Sequence, residues 1–181
     1  MKAAVSATAL LISGTVGVGK SSTAEAIGQE LTQQEVPHAV IDLDDIRRSW
    51  PVPPDDPFNQ QVELRNLTGL VANFVAAGAE LIILAGVVES SADRLRYAAA
   101  VGMPLTVCRL VLDLPTIRGR LTTRHADSVP ARDWHLDRSG VLDAILDAAE
   151  VEDVVVDVRG LTPPQVAHAV LAAVTGVGST G

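Results

Sequence analysis

The sequence predicts an α/β domain in which a five-stranded parallel sheet carries helices on both faces. Three observations predict it. Short, continuously apolar, β-branched runs alternate with amphipathic stretches along the 181 residues, the pattern of strands covered on both sides and joined by helices. An apolar share of 48% supports a sizeable core in a chain of about one domain's length. A glycine-rich loop separates the first apolar run from the first amphipathic one.

The first strand is expected at 9–13. The preceding Met1-Lys2 and the apolar residues up to Ile12 have the outline of a signal peptide, but Ser6 and Thr8 interrupt it, and a glycine loop stands where a cleavage site belongs. A cytoplasmic protein is expected. Further strands fall at 39–42, 81–85, 105–112 and 154–158, with helices at 21–33, 60–77, 92–101, 115–124, 139–149 and 163–174. In the second helix Val62, Leu67, Leu70, Val71 and Phe74 recur at helical spacing behind Asn59, a capping residue. The last helix opens on Thr162, Pro163 and Gln165: a cap, a first-turn proline and a capping-box partner. Residues 1–175 are read as one domain and 176–181 as a flexible tail, since those last residues have little to bury.

Composition excludes several functions. With 14 basic and 22 acidic residues the net charge is −8, which gives no general attraction for nucleic acid or an anionic membrane. Aromatic residues make up 3%, too few for base-stacking platforms. The single cysteine, Cys108, lies in an apolar run and allows neither a disulfide framework nor a site of several thiolates. No apolar run approaches the roughly 18 residues of a membrane span. An apolar helix face serves a core or a second copy of the chain, so a homodimer stays open.

Gly14-Thr15-Val16-Gly17-Val18-Gly19-Lys20-Ser21 fits G-x-x-x-x-G-K-[ST] without a mismatch, directly after a strand and before a helix. Glycines let such a loop turn successive backbone N–H groups inward around phosphate oxygens, and the helix N-terminus adds its positive end. The expected cradle therefore runs from Gly14 through Ser21 to Ser22. Lys20 would bridge the β- and γ-phosphates of ATP, and Ser21 would ligate Mg²⁺. The fold implied is the three-layer P-loop nucleoside-triphosphate hydrolase fold. Guanine recognition of the N-K-x-D kind is excluded, because the only lysines are Lys2 and Lys20.

After the second strand comes Asp42-Leu43-Asp44-Asp45-Ile46-Arg47-Arg48. Ligands of an open parallel sheet lie beyond the carboxyl ends of its strands, which points these carboxylates at the terminal phosphate. Phosphoryl transfer to a hydroxyl needs a proton acceptor and a partner for the metal, and carboxylates serve as both. Asp42 and Asp44 share a side if the strand continues to Asp44. Either is a candidate acceptor, and capping of a following helix by Asp44 or Asp45 is the alternative. Trp50 and Phe58 bracket a stiff segment with four prolines, which either walls an acceptor pocket or anchors in the core. Glu89, just past the third strand, is a further candidate to contact the acceptor. Arg159, after the last strand, is placed beside the adenine.

The phosphate loop and Ile41-Asp42-Leu43-Asp44-Asp45-Ile46-Arg47 resemble the P-loop and the L-D-G-D-N-V-R segment of adenylylsulfate kinases. The resemblance continues through Phe58 and Arg65, across Gly78 to Leu84, to Ser90, Ser91, Asp93 and Arg94, and covers roughly the first hundred residues. It implies that Asp44 is the catalytic carboxylate near Mg²⁺, and that Arg47 and Arg65 hold an anionic or polar substrate. It stops at Ile117-Arg118-Gly119-Arg120-Leu121-Thr122-Thr123-Arg124, where those kinases carry K-G-L-Y, and Gly86 to Ser90 replaces their I-S-P. The R-x-x-x-R pair instead is similar to the lid of gluconate, shikimate and antibiotic kinases.

Residues 118–138 hold five of the twelve arginines and three aspartates. Arg120 and Arg124, four apart, share one helix face and are expected to bring guanidinium charge to the transferring phosphate. Residues 125–138, with Pro130 and no apolar stripe, are expected to form a flexible lid that excludes water on closing. His125 and His135 flank it without the spacing of a metal site. The function expected is transfer of the ATP γ-phosphate to a hydroxyl of a small molecule. A nucleotide-binding module or regulator with little or no kinase activity is the alternative, and a sugar acid, a nucleoside or an antibiotic is as open an acceptor as adenylylsulfate.

Overall fold

The computed structural model describes residues 7–177. Its elements are Thr8–Ser13 (β1), Lys20–Gln33 (α1), His38–Asp42 (β2), Leu43–Ile46 (α2), Gln60–Ala76 (α3), Leu81–Ala85 (β3), Ser91–Val101 (α4), Leu105–Val111 (β4), Leu114–Arg124 (α5), Val129–Ala149 (α6), Val154–Asp157 (β5) and Pro163–Val177 (α7). The five strands are parallel in the order β2-β3-β1-β4-β5. β1 is central, with Leu11 level with Leu84 of β3 and Val107 of β4. Strand order reverses at β1, so the loop after it opens into the crevice where α/β sheets take ligands.

Alternating residues of β1 feed two cores. Leu10 and Ile12 pack with Ala24, Ile27 and Leu31 of α1, Ile117 and Leu121 of α5, and Val166 and Val170 of α7. Ala9 and Leu11 pack with Leu67 and Val71 of α3 and Tyr97 and Val101 of α4 on the other face. Each fully buried Leu or Ile contributes about 1.5–3 kcal/mol relative to exposure, so both helical layers are held by apolar contact. Cys108 on β4 is wholly buried between Ile12 and Val154. The loss of water around its thiol pushes its pKa up to about 12. Among the described residues, no helix is long and apolar enough to cross a membrane.

Three expectations are corrected. β2 stops at Asp42 and does not reach Asp44: the Asp42 carboxylate accepts from the Asp44 N–H at 2.9 Å and caps α2. Residues 129–138, expected as a flap, form the first half of α6. Pro130 lies in the first turn, where a missing N–H costs nothing, and the Arg132 N–H donates to the Ser128 carbonyl. α7 continues through 176 and 177, while 178–181 of the expected tail lie outside the described residues.

α6, whose Leu142 and Leu146 are buried, is tied to the sheet by charge. Arg109 of β4, only 5% exposed, meets Asp147 at 2.6 Å, Asp143 at 3.4 Å and Glu152 at 3.6 Å. A guanidinium so enclosed is tolerable only when paired in this way.

Candidate active site

The loop from Gly14 to Gly19 turns through positive φ at Gly14 (145°), Gly17 (84°) and Gly19 (113°). A Cβ at Gly14 would stand 2.8 Å from the Leu110 carbonyl oxygen, and one at Gly17 would stand 2.9 Å from Leu121. Both positions demand glycine by conformation and by space. Lys20, at the start of α1, folds its ammonium back onto the loop and donates to the Gly14 carbonyl at 3.0 Å and the Thr15 carbonyl at 3.1 Å. Desolvation lowers its pKa to about 8, against the opposing pull of Asp44 and Asp42. A cation held among carbonyls at the foot of a helix suits the binding of an anion.

A cavity of about 870 Å³ lies over this loop. Toward β5 and α7 it is walled by Val158, Leu161, Pro163 and Val166, an apolar end suited to a flat base. Toward β2 and β3 it is walled by Asp44, Arg47, Phe58, Glu63, Glu89 and Tyr97. Arg47 is paired with Asp44 of its own turn and reaches Glu63 of α3 at 3.4 Å. Glu63 is 1% exposed and accepts the Tyr97 hydroxyl at 2.5 Å. Burial pushes the Glu63 carboxyl above its usual pKa, while the Tyr97 hydrogen bond and Arg47 oppose the shift. Arg138 of α6 is paired with Glu89, and both guanidiniums lie against the Phe58 ring, Arg47 at 6.0 Å and Arg138 at 5.6 Å.

Over the loop, the Arg120 guanidinium donates to the Val18 carbonyl at 3.2 Å, and Arg124 lines the cavity near enough to depress the Lys20 pKa. Trp134 and His135 of α6 complete this wall, with His135 stacked on His125 at 4.2 Å. Among the described residues, no three His, Cys, Asp or Glu side chains gather to hold a metal. Magnesium commonly uses one or two protein oxygens together with substrate phosphates. The Ser21 hydroxyl and the Asp44 carboxylate, both on the cavity wall beside Lys20, are hard oxygen donors that fit it.

The cavity gathers Val16, Gly17, Val18, Gly19, Lys20, Ser21, Ser22, Asp44, Arg47, Glu89, Arg120 and Arg124 from the residues singled out by sequence. Gly14 and Thr15 lie beneath it as acceptors for Lys20. Four residues fall elsewhere. Asp42 is turned to its capping role. Arg65 is exposed on the solvent side of α3, outside the lining. Trp50 is 90% exposed and walls nothing. Arg159 is an exposed side chain between Asp113 and Asp157, each 3.8 Å away, and does not reach the cavity. Sequence reasoning assigned no site role to Glu63, Tyr97 or Arg138.

No known sequence family and no curated protein matches the chain. Solved structures do. A gluconokinase from Sinorhizobium meliloti 1021 is 18% identical, with 95% of this chain and 94% of that one covered, at a TM-score of 0.64. A tunicamycin resistance protein from Deinococcus radiodurans is 21% identical, covering 93% and 95%, at 0.65. The shikimate kinase of Aquifex aeolicus is 14% identical, covering 96% and 99%, at 0.64. At such identities the likeness establishes the fold. The chain has the three-layer α/β fold of the P-loop small-molecule kinases.

Proposed function

We propose that this protein is an ATP-dependent phosphotransferase that moves the γ-phosphate to a hydroxyl of a small molecule, with Asp44 as proton acceptor. One observation carries the reading: a complete phosphate loop and a carboxylate that is not consumed in capping face one cavity, with an apolar end on one side and a polar end on the other.

The loop amides and the Lys20 ammonium bind and orient the triphosphate. Ser21 and Asp44 would hold Mg²⁺, which supplies charge neutralisation across the β- and γ-phosphates when bound. Asp44 takes the proton of the attacking hydroxyl, and Arg47 keeps its carboxylate aimed into the cavity. Arg120 and Arg124 bring positive charge to the phosphoryl group in flight. The arm from Arg118 to Arg138 acts as a lid that sheds water, through α5 and the first turns of α6 and not through a loose flap. The adenylylsulfate reading of the first hundred residues leaned on Arg47 and Arg65, and only Arg47 lies at the cavity. Support therefore extends to a small hydroxyl compound in general.

The test is ADP release that depends on an added hydroxyl acceptor. It should vanish in Asp44→Asn, which keeps an oxygen for the metal but takes no proton, while Mg²⁺-ATP still raises the melting temperature. Loss of nucleotide binding together with turnover would remove the catalytic assignment. Nucleotide binding with no turnover for any acceptor would leave a binding module.

A further inference from the structure

We propose that the acceptor is a polyhydroxyl compound bearing no negative charge, an inference that rests on the phosphotransfer reading and specifies its second substrate. Two guanidiniums, Arg47 and Arg138, stand at the β2/β3 end of the cavity, and both are already occupied. Arg47 lies between Asp44 and Glu63, and Arg138 is paired with Glu89. Glu63 cannot swing away: it is 1% exposed and held from its other oxygen by the Tyr97 hydroxyl at 2.5 Å, itself on a buried residue of α4. Each guanidinium also lies against the Phe58 ring, 6.0 Å away for Arg47 and 5.6 Å for Arg138, which further engages both cations.

A carboxylate, phosphate or sulfate on the acceptor would have to displace a resident carboxylate from its arginine, and would leave that carboxylate facing a like charge in a partly dry cleft. A hydroxyl group meets no such obstacle. The polar wall presents carboxylate oxygens from Asp44 and Glu89, each with lone pairs left beside its arginine partner, while Asp93 already accepts from Ser90 and Gln60; ionised carboxylates accept hydrogen bonds without donating them. Hydroxyls are the donors that match. The same wall that repels an anion therefore orients a polyol, with one hydroxyl toward Asp44.

The experiment uses the full chain with Mg²⁺-ATP and a matched series on one carbon skeleton: glucose, gluconate and glucosamine, together with shikimate and its methyl ester. ADP release and kcat/KM are measured for each, and binding is measured in the presence of Mg²⁺-ADP. The expected result is a preference of at least roughly tenfold for the uncharged or amino member over its anionic counterpart. Glu89→Gln, which frees Arg138, should move that ratio toward the anion. An anionic member preferred by the wild-type chain overturns the inference and leaves the phosphotransfer reading intact. No acceptor-dependent turnover for any member, with Mg²⁺-ATP still bound, overturns the phosphotransfer reading and this inference with it. A ratio unmoved by Glu89→Gln overturns the role given to the Arg138 pair.

Discussion

The Thr15 hydroxyl donates to the Ser139 carbonyl at 2.5 Å, and both residues are buried. The phosphate loop and α6 are thereby tied together one residue from Arg138, which reaches the other end of the cavity. Thr15→Val keeps the shape and removes the bond. The expected cost is about 1 kcal/mol in denaturant unfolding, with a higher KM for ATP because α6 is no longer registered on the loop. An unchanged KM beside lowered stability would confine the bond to folding.

Lys20 carries a proton-linked signature. Its pKa of about 8 in the folded chain lies below the ordinary 10.5, so the nucleotide-free fold is weakened by this group below pH 8 and recovers that stability as pH rises toward 10.5. A bound triphosphate favours the ammonium and reverses the shift. ATP binding near pH 8.5 is therefore expected to take up protons, measured as a dependence of the binding enthalpy on buffer ionisation heat. Lys20→Met should abolish that dependence.

Gly17→Ala adds a methyl 2.9 Å from Leu121 at a φ of 84°. Strain and contact together should cost about 1–3 kcal/mol, and nucleotide-induced thermal stabilisation should be lost. Retained stabilisation would mean that α5 yields to the loop.

Arg124 and Arg65 make a matched pair of arginines, one on the cavity wall and one exposed on α3. Arg124→Ala should lower kcat roughly 10²-fold or more, the scale of removing one preorganised charge from a transferring group. Arg65→Ala should leave kcat and KM within about twofold, as surface charges do. Equal effects of the two would refute the placement of the transferring phosphate.

The phosphate loop and the strands were legible because their signals are local. Gly14 to Ser21 must satisfy backbone geometry within eight residues, and strands buried on both faces read as unbroken apolar runs. The polar end of the cavity was not legible. Glu63 looks like a solvent-facing acid on an amphipathic helix, and the Tyr97 that holds it lies 34 residues away. The buried face of α3 is in fact Glu63, Leu67 and Val71, while Phe74 of the expected stripe is substantially exposed. The start of α6 does carry a local signal: Ser128-Val129-Pro130 is a capping residue followed by a first-turn proline. Charge density masked it, since the apolar anchors of α6 come later, at Leu142 and Leu146. Asp42 shows the reverse case, where a residue apt for chemistry is taken by the helix it precedes.

Because Cys108 sits in the middle of the sheet with its thiolate form suppressed, it is a chemical clock for opening of the fold around it. An alkylating reagent can reach that sulfur only when the layer of α1, α5 and α7 over its face of the sheet lifts. The rate of labelling, followed by mass with and without nucleotide, therefore reads out how strongly an occupied phosphate loop holds that helical layer on the sheet.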